Sequence, residues 1–281
     1  MNRQEFLEAK VVENFINWLI PRISGEIKFL HQYENLRGKT IWNCDSIYNA
    51  YENYNWRFNC NIPELGKISG SSFNESAKAL KKIEEGLKSA LKSRNHEKII
   101  EFSVSILEWG GVKRTNYEKL TIMNNSVIDY FETAIEKLNP LPINTNNDFT
   151  GIIMNSGFTK IYSLLIDGFV IYDSRVGAAL GLLVKLFLVE NQLDFIPKEL
   201  EFAYGNARPT KSDKSKRNRR NPSNEIFRFP VLRNDDKLHI INNVKANWLL
   251  KEVSEKSQFR NELSPIRALE SALFMIGYSV N

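Results

Sequence analysis

Apolar residues along this chain recur mostly at intervals of three and four, the period of an amphipathic helix. Phe6, Leu7, Val11, Val12, Phe15, Ile16 and Leu19 form the first stripe. Pro21, which lacks an N–H and crowds the preceding turn, is expected to end it. After the Gly/Ser turn at 70–72, the stripe returns in Ala77, Leu80, Ile83, Leu87, Ala90 and Leu91, and again in Val127, Ile128, Phe131, Ile135 and Leu138 before Asn139-Pro140. The stretch 176–189 is apolar on nearly every face apart from Lys185, the mark of a central helix packed inside the protein. Two further amphipathic stretches cover 243–253 and 265–276. Alternation at period two is confined to short pieces near Ile152 and Phe227. The expectation is an all-α or nearly all-α fold, with two helical subdomains flanking a cleft and soft boundaries at 70–72, 140–147 and a basic loop.

Composition narrows the class. With 281 residues, 42% hydrophobic and 25% charged, the chain has the values of a folded globular protein and enough length for a substantial core. Its longest wholly apolar run, 176–184, is far short of the roughly 20 residues a membrane span needs. The N-terminus carries scattered charges and no apolar stretch with a small-residue cleavage site, so the expectation is a cytoplasmic protein without a membrane partner, and a monomer. Cys44 and Cys60 are the only cysteines, and His31, His96 and His239 are scattered, so no metal-ligand cluster is expected. Neither a GxxxxGK[ST] nor a GxGxxG run occurs, and no cofactor is expected.

Charge is concentrated rather than spread. Formal net charge is +5, yet 208–220 (RPTKSDKSKRNRR) holds seven basic residues and one Asp, or +6, leaving −1 for the rest. Arg208, Lys211, Lys214, Lys216, Arg217, Arg219 and Arg220 are therefore candidates for contacts with nucleic-acid phosphates, although a solvated loop has the same composition.

The segment 154–183 (MNSGFTKIYSLLIDGFVIYDSRVGAALGLL) reads as two helices around a tight hairpin: a Gly turn, a short helix, a second turn at Asp167-Gly168, an extended piece and then the apolar helix. Lys160 falls in the first turn of the short helix, where burial and the positive end of the helix both favour a neutral, nucleophilic amine. Asp173 directly precedes the apolar helix, as its N-cap, as a carboxylate at the edge of a cleft, or as both. Taken singly, a helix-start lysine is usually solvated and such an aspartate usually structural.

GFTK followed by VIYDSRV resembles the Gly-Val-Gly-x-Lys hairpin and Val-Asp-Thr-His-Val motif of the helix-hairpin-helix DNA glycosylases, over about thirty residues. In that superfamily the hairpin lysine and the later aspartate are catalytic, which implies Lys160 and Asp173 here. Ser174 and Arg175 stand where the family has Thr and His, Ser156-Gly157-Phe158 where it usually has two glycines, and the Lys-to-Asp interval is shorter. The wider frame, ILEWGGVKRTN at 106–116 and the closing IRALESALFMIGY, resembles a bacterial branch similar to 8-oxoguanine glycosylases. Some members of that branch are implicated in defence against phages with modified cytosines. The resemblance implies an N-terminal helical region at 1–100, a helix-hairpin-helix catalytic core at 101–200, and a basic loop with C-terminal helices at 201–281. It also implies DNA contacts from the hairpin at Gly157 and Thr159, where turn amides and a helix N-terminus cradle a phosphate.

The implied reaction is cleavage of an N-glycosidic bond in double-stranded DNA containing a damaged or modified base. Asp173 would stabilise oxocarbenium character on the sugar. Lys160 would attack C1′ to form a Schiff base and permit strand cleavage, or Asp173 would activate water and leave an abasic site. An extruded base needs an aromatic pocket. Trp42, Tyr48 and Trp56, in the aromatic run 42–58 with Tyr51, Tyr54 and Phe58, are the candidates, together with Trp109 and, more weakly, Asn116 and Trp248. Core packing is the competing reading of those aromatics. A non-catalytic DNA- or RNA-binding module is the alternative function, and a helical scaffold a third.

Overall fold

The apolar stripes at 77–91, 127–138, 176–189, 243–253 and 265–276 all fall within helices. The computed structural model describes residues 1–35, 39–139, 141, 143–207, 215–233 and 235–281, with backbone alone at 215–217. In chain order the elements are α1 (Arg3–Glu8), α2 (Lys10–Ser24), β1 (His31–Asn35), β2 (Thr40–Cys44), α3 (Ile47–Glu52), β3 (Phe58–Ile62), β4 (Gly66–Gly70) and α4 (Phe73–Lys92). There follow α5 (His96–Trp109), α6 (Lys113–Met123), α7 (Val127–Leu138), α8 (Phe158–Leu165), α9 (Ser174–Glu190), α10 (Asp236–Lys256) and α11 (Pro265–Ile276), with short 3-10 turns at Asn124–Ser126, Ser215–Arg220 and Gln258–Asn261. The described protein is mostly helical with two small antiparallel hairpins, β1–β2 and β3–β4. No helix among the described residues is long and apolar enough to cross a membrane.

Backbone packing divides the chain into two units, each assembled from separated stretches. The first comprises Met1–Tyr54, Asn144–Asn146 and Tyr172–Asn281; the second comprises Asn55–Ile143 and Asn147–Ile171.

In the first unit the opening stripe is split. Asn2 caps α1 in a reciprocal box with Glu5, Ala9 turns extended, and α2 starts afresh. Pro21 does not end the helix as its sequence position suggests; α2 runs on to Ser24 and stops at Gly25, whose φ of 82° is the left-handed cap conformation. Near a C-terminus a proline removes only one helical hydrogen bond, and the nearby Trp18 carbonyl accepts from Arg22 Nη1 at 2.9 Å. Helix α9 is buried along almost its whole length, from Val176 to Leu188, and packs against α2 and α11. Lys185 and Leu186 are its half-buried exceptions. Trp248 on α10, 1% exposed and 5.5 Å from the ring of Phe6, is part of this core.

In the second unit α4 begins with another reciprocal box: Ser72 Oγ accepts from the Glu75 amide, and Glu75 accepts from Ser72 N at 2.9 Å. Its stripe of Ala79, Leu80, Ile83, Leu87 and Ala90 is buried, and α4 packs against α5 and α8. Strand β3 alternates cleanly, with Phe58, Cys60 and Ile62 inside and Asn59 and Asn61 exposed. The strand-like pieces expected near Ile152 and Phe227 are not strands. Ile152 N closes a turn onto Phe149 O, and Ile153 N bonds Tyr130 Oη at 2.9 Å. Phe227 and Asn224 exchange hydrogen bonds in a tight turn.

Candidate functional site

Lys160 and Asp173 are thirteen residues apart and fall in different units, so each has its own surroundings. Lys160 lies in the first turn of α8 in the second unit and is 4% exposed. Its Nζ turns back to donate to Ser156 O at 2.8 Å. Its aliphatic stem lies against Gly110: a Cβ there would sit 2.6 Å from Lys160 Cδ and Cε. Gly157, the N-cap of α8, has an ordinary helical backbone at φ −89°, so its lack of a side chain serves a close approach instead, because a Cβ would meet Asn116 Nδ2 at 2.2 Å. Left-handed φ values in this stretch occur at Gly151 and Gly168.

The amides at the start of α8 are already engaged. Asn155 Oδ1 accepts from Gly157 N at 2.8 Å and Phe158 N at 3.1 Å, and Asn155 O accepts from Thr159 N at 3.0 Å. Thr159 is fully buried and its hydroxyl donates to Val170 O at 3.2 Å. The groups a phosphate would need at Gly157 and Thr159 are thus spent on the turn itself. Asn155 was not singled out from the sequence, although its place two residues before a glycine at a helix start is the signature of such a cap.

Asp173, in the first unit, is 8% exposed and is the N-cap of α9. Its Oδ1 accepts from Arg175 N at 2.8 Å and Val176 N at 3.2 Å. The preceding residue is locked: Tyr172 Oη donates to Ala203 O at 2.6 Å, and Tyr172 O accepts from His239 Nε2 at 2.6 Å, which requires the proton on that nitrogen. Neither Tyr172 nor His239 was foreseen as support for Asp173. Burial works against the charge on Arg175, and the Asp173 carboxylate beside it works in favour; burial prevails.

Of the basic residues, Arg208, Lys211 and Lys214 lie outside the described residues, and the side chains of Lys216 and Arg217 do too. Arg219 and Arg220 are described and lie near the start of α9. Arg220 Nη1 donates to Ser174 Oγ at 2.5 Å, and Arg219 Nε to Tyr278 O at 3.1 Å.

The pocket candidates are divided between the units. Trp42 and Tyr48 are in the first, Trp56 and Trp109 in the second. Trp42 stacks on Tyr33 at 4.8 Å and donates to Asn53 O, while Tyr48 donates to Glu262, which with burial pushes its hydroxyl up to about 12. Trp109 is 9% exposed and donates to Ser76 Oγ at 2.9 Å; Trp56 is half-buried, with its amide on Ser71 O. Asn116 Nδ2 donates to Val112 O at 2.8 Å, and its Oδ1 is buried without a hydrogen-bond partner. The Cys44 and Cys60 thiols are buried and unpaired with each other, pushed up to about 12 and about 11 by burial, which makes poor nucleophiles of them.

Comparison with protein-family models, with curated proteins and with solved structures yields no match for this chain.

Proposed function

We propose that this protein is a DNA glycosylase of helix-hairpin-helix type, which extrudes a damaged or modified base from double-stranded DNA and cleaves its N-glycosidic bond. The observation that carries the reading is the state of Asp173: a buried carboxylate fixed by two amides at the start of an apolar helix, thirteen residues after a lysine that is itself buried in a first helical turn. A carboxylate held in this way is preorganised to stabilise positive charge developing on a deoxyribose. Lys160 supplies the nucleophile: the amine lone pair bonds to C1′, and the base leaves with the electrons of its glycosidic bond. Repair of oxidised bases and defence against phage genomes with modified cytosines are the two settings that fit the resemblance.

Borohydride reduction during turnover tests the lysine route. A covalent DNA adduct that is lost in Lys160→Gln supports it; base release without any adduct assigns the reaction to water activated by Asp173. A non-catalytic nucleic-acid-binding module is the second reading, and the cap itself favours it, since a carboxylate that holds Arg175 N and Val176 N has a structural task without meeting any sugar. Binding without release of a base would establish that reading.

A further inference from the structure

Helix α10 buries polar side chains that the glycosidic reaction does not use: His239, Asn242, Asn243, Lys245 and Asn247 are each 5% exposed or less. Polar groups inside a core are costly unless they make hydrogen bonds there. His239 and Asn242, three residues apart, share one face of the helix and both reach Tyr172. Nε2 of His239 donates to Tyr172 O at 2.6 Å. Asn242 Oδ1 accepts from Ala203 N at 2.7 Å and lies 3.5 Å from Tyr172 Oη, whose own proton goes to Ala203 O at 2.6 Å. The Asn242 carboxamide has one orientation, because its Nδ2 donates to Leu238 O at 2.8 Å and a flipped amide would set oxygen against oxygen. Burial pushes the Tyr172 hydroxyl well up, so it stays a donor.

These bonds meet against the first turn of α9. A Cβ on Gly177 would lie 2.3 Å from Ala203 O and 3.1 Å from Tyr172 Oη, so the hydroxyl and its acceptor rest on bare helix backbone. A Cβ on Gly205 would lie 2.5 Å from that of Ser174. Tyr204, between Ala203 and Gly205, is tied on through Tyr204 N to Pro230 O at 3.0 Å and Leu232 N to Tyr204 O at 2.7 Å. Tyr172 directly precedes Asp173, the N-cap of α9. Lys245, about one turn further along α10, bonds Lys198 O and Glu201 O, upstream of Ala203 in the same segment.

We propose that Asn242 is a positioning residue for Asp173: it fixes Ala203, Ala203 fixes the Tyr172 hydroxyl, and Tyr172 sets the angle at which Asp173 enters α9 and presents its carboxylate. His239 holds the Tyr172 carbonyl to the same end. The effect on base release rests on the glycosylase reading; the effect on the α9 cap does not.

The test compares the full chain with Asn242→Leu, which keeps the volume and removes both hydrogen bonds, and with Lys245→Met as a control. Hydrogen exchange of the Arg175 and Val176 amides, which Asp173 caps, should be about tenfold faster in Asn242→Leu, with the amides of 180–188 unchanged. Lys245→Met should leave the cap amides as in the wild type. On modified DNA, Asn242→Leu should lower kcat for base release about tenfold or more at unchanged KM, because a misplaced carboxylate meets the same bound substrate. Asn242→Asp adds a pH signature and carries the comparison if Asn242→Leu does not fold. While its carboxyl is neutral, the acid O–H donates to Leu238 O in place of Nδ2, and the cap amides should exchange as in the wild type; once ionised, a carboxylate faces that carbonyl and exchange should quicken. Cap amides that exchange at the wild-type rate in folded Asn242→Leu, equal acceleration in Lys245→Met, or faster exchange with kcat unchanged each overturn the proposal. A wild type that releases no base refutes the glycosylase reading instead and leaves the hold on Asp173 decided by exchange alone.

Discussion

The starts of α8 and α9 hold the two candidate catalytic groups, and they are built in opposite ways. At α9 the carboxylate of Asp173 suits the positive end of a helix and caps it, whereas at α8 an ammonium does not suit that end, and Lys160 turns back to the Ser156 carbonyl. What surrounds them differs as well. The α9 start is hemmed by backbone: a Cβ on Gly277 would sit 1.9 Å from Arg175 O, and one on Gly177 2.3 Å from Ala203 O. The α8 start is packed by side chains: a Cβ on Gly110 would press on the Lys160 stem, with Ile106 O at an ordinary 3.5 Å, and one on Gly157 would press on Asn116 and Leu107. A backbone wall cannot yield, and a lysine stem can. The difference teaches that the Asp173 end is bounded by backbone, whereas the contact on the Lys160 side is with a side-chain stem.

The largest expected effect comes from pressing on the backbone wall. Gly277→Ala should destabilise the first unit by about 4 kcal/mol, read as a loss in denaturant midpoint, because neither the Arg175 carbonyl nor helix α11 can move independently. A loss below about 1 kcal/mol would remove the contrast between the two helix starts.

Next in size is a test of what a buried amine does when it has only a structural task. Lys245 donates to Lys198 O at 2.9 Å and Glu201 O at 3.0 Å, the same kind of bond as that of Lys160, and burial draws it from 10.5 down to about 8. Between those values the unfolded chain binds a proton that the folded chain does not. Stability relative to Lys245→Met should therefore rise as pH increases from about 8 to 10.5, by about 3 kcal/mol, and should be level below that window. Base release should be unaffected by Lys245→Met where the variant is folded, which separates this amine from Lys160.

Smaller again is the cap. Asp173→Asn retains a capping oxygen and removes the charge beside buried Arg175, whereas Asp173→Ala removes both, so Asp173→Ala should be the less stable of the two by about 1 kcal/mol. Equal losses would mean that the charge, not the cap, holds α9. The smallest stability effect is expected for Gly110→Ala, below about 1 kcal/mol, since only the Lys160 stem must shift. Its effect on a Lys160-dependent adduct should be larger than its effect on melting, and a variant with unchanged adduct yield would show that the stem position is immaterial.

The helices with a clear apolar stripe were legible, while the longest, α10, was read only over 243–253. Val127 to Leu138 and Pro265 to Ile276 read directly as α7 and α11, and the Asp173 cap was foreseen from its place before an apolar run. Helix α6 left no stripe, because among its eleven residues only Asn116 and Leu120 are buried. The hairpins were hidden for a related reason: β1 reads HQYEN, five residues with one buried side chain, too short and too polar for period-two alternation to register. The aromatic run 42–58 spans β2, α3 and the start of β3, so helical spacing could not organise it. The break at Ala9 and the survival of α2 through Pro21 depend on capping and on the position of the proline near a helix end, which periodicity does not encode. Around the candidate groups, Tyr172 and His239 were invisible because their roles come from hydrogen bonds to backbone atoms over long sequence separations, whereas the Asn155 cap is local and carries a sequence signature that apolar periodicity does not register.

The most direct measurement is mass-spectrometric detection of free bases released from oxidised, alkylated and phage-modified DNA by the wild type and by Asp173→Asn, with folding of the variant checked by its melting midpoint. The account predicts release of at least one modified base by the wild type and a loss of about a thousandfold in the variant. No base released from any of these DNAs, or release that Asp173→Asn leaves unchanged, would contradict it.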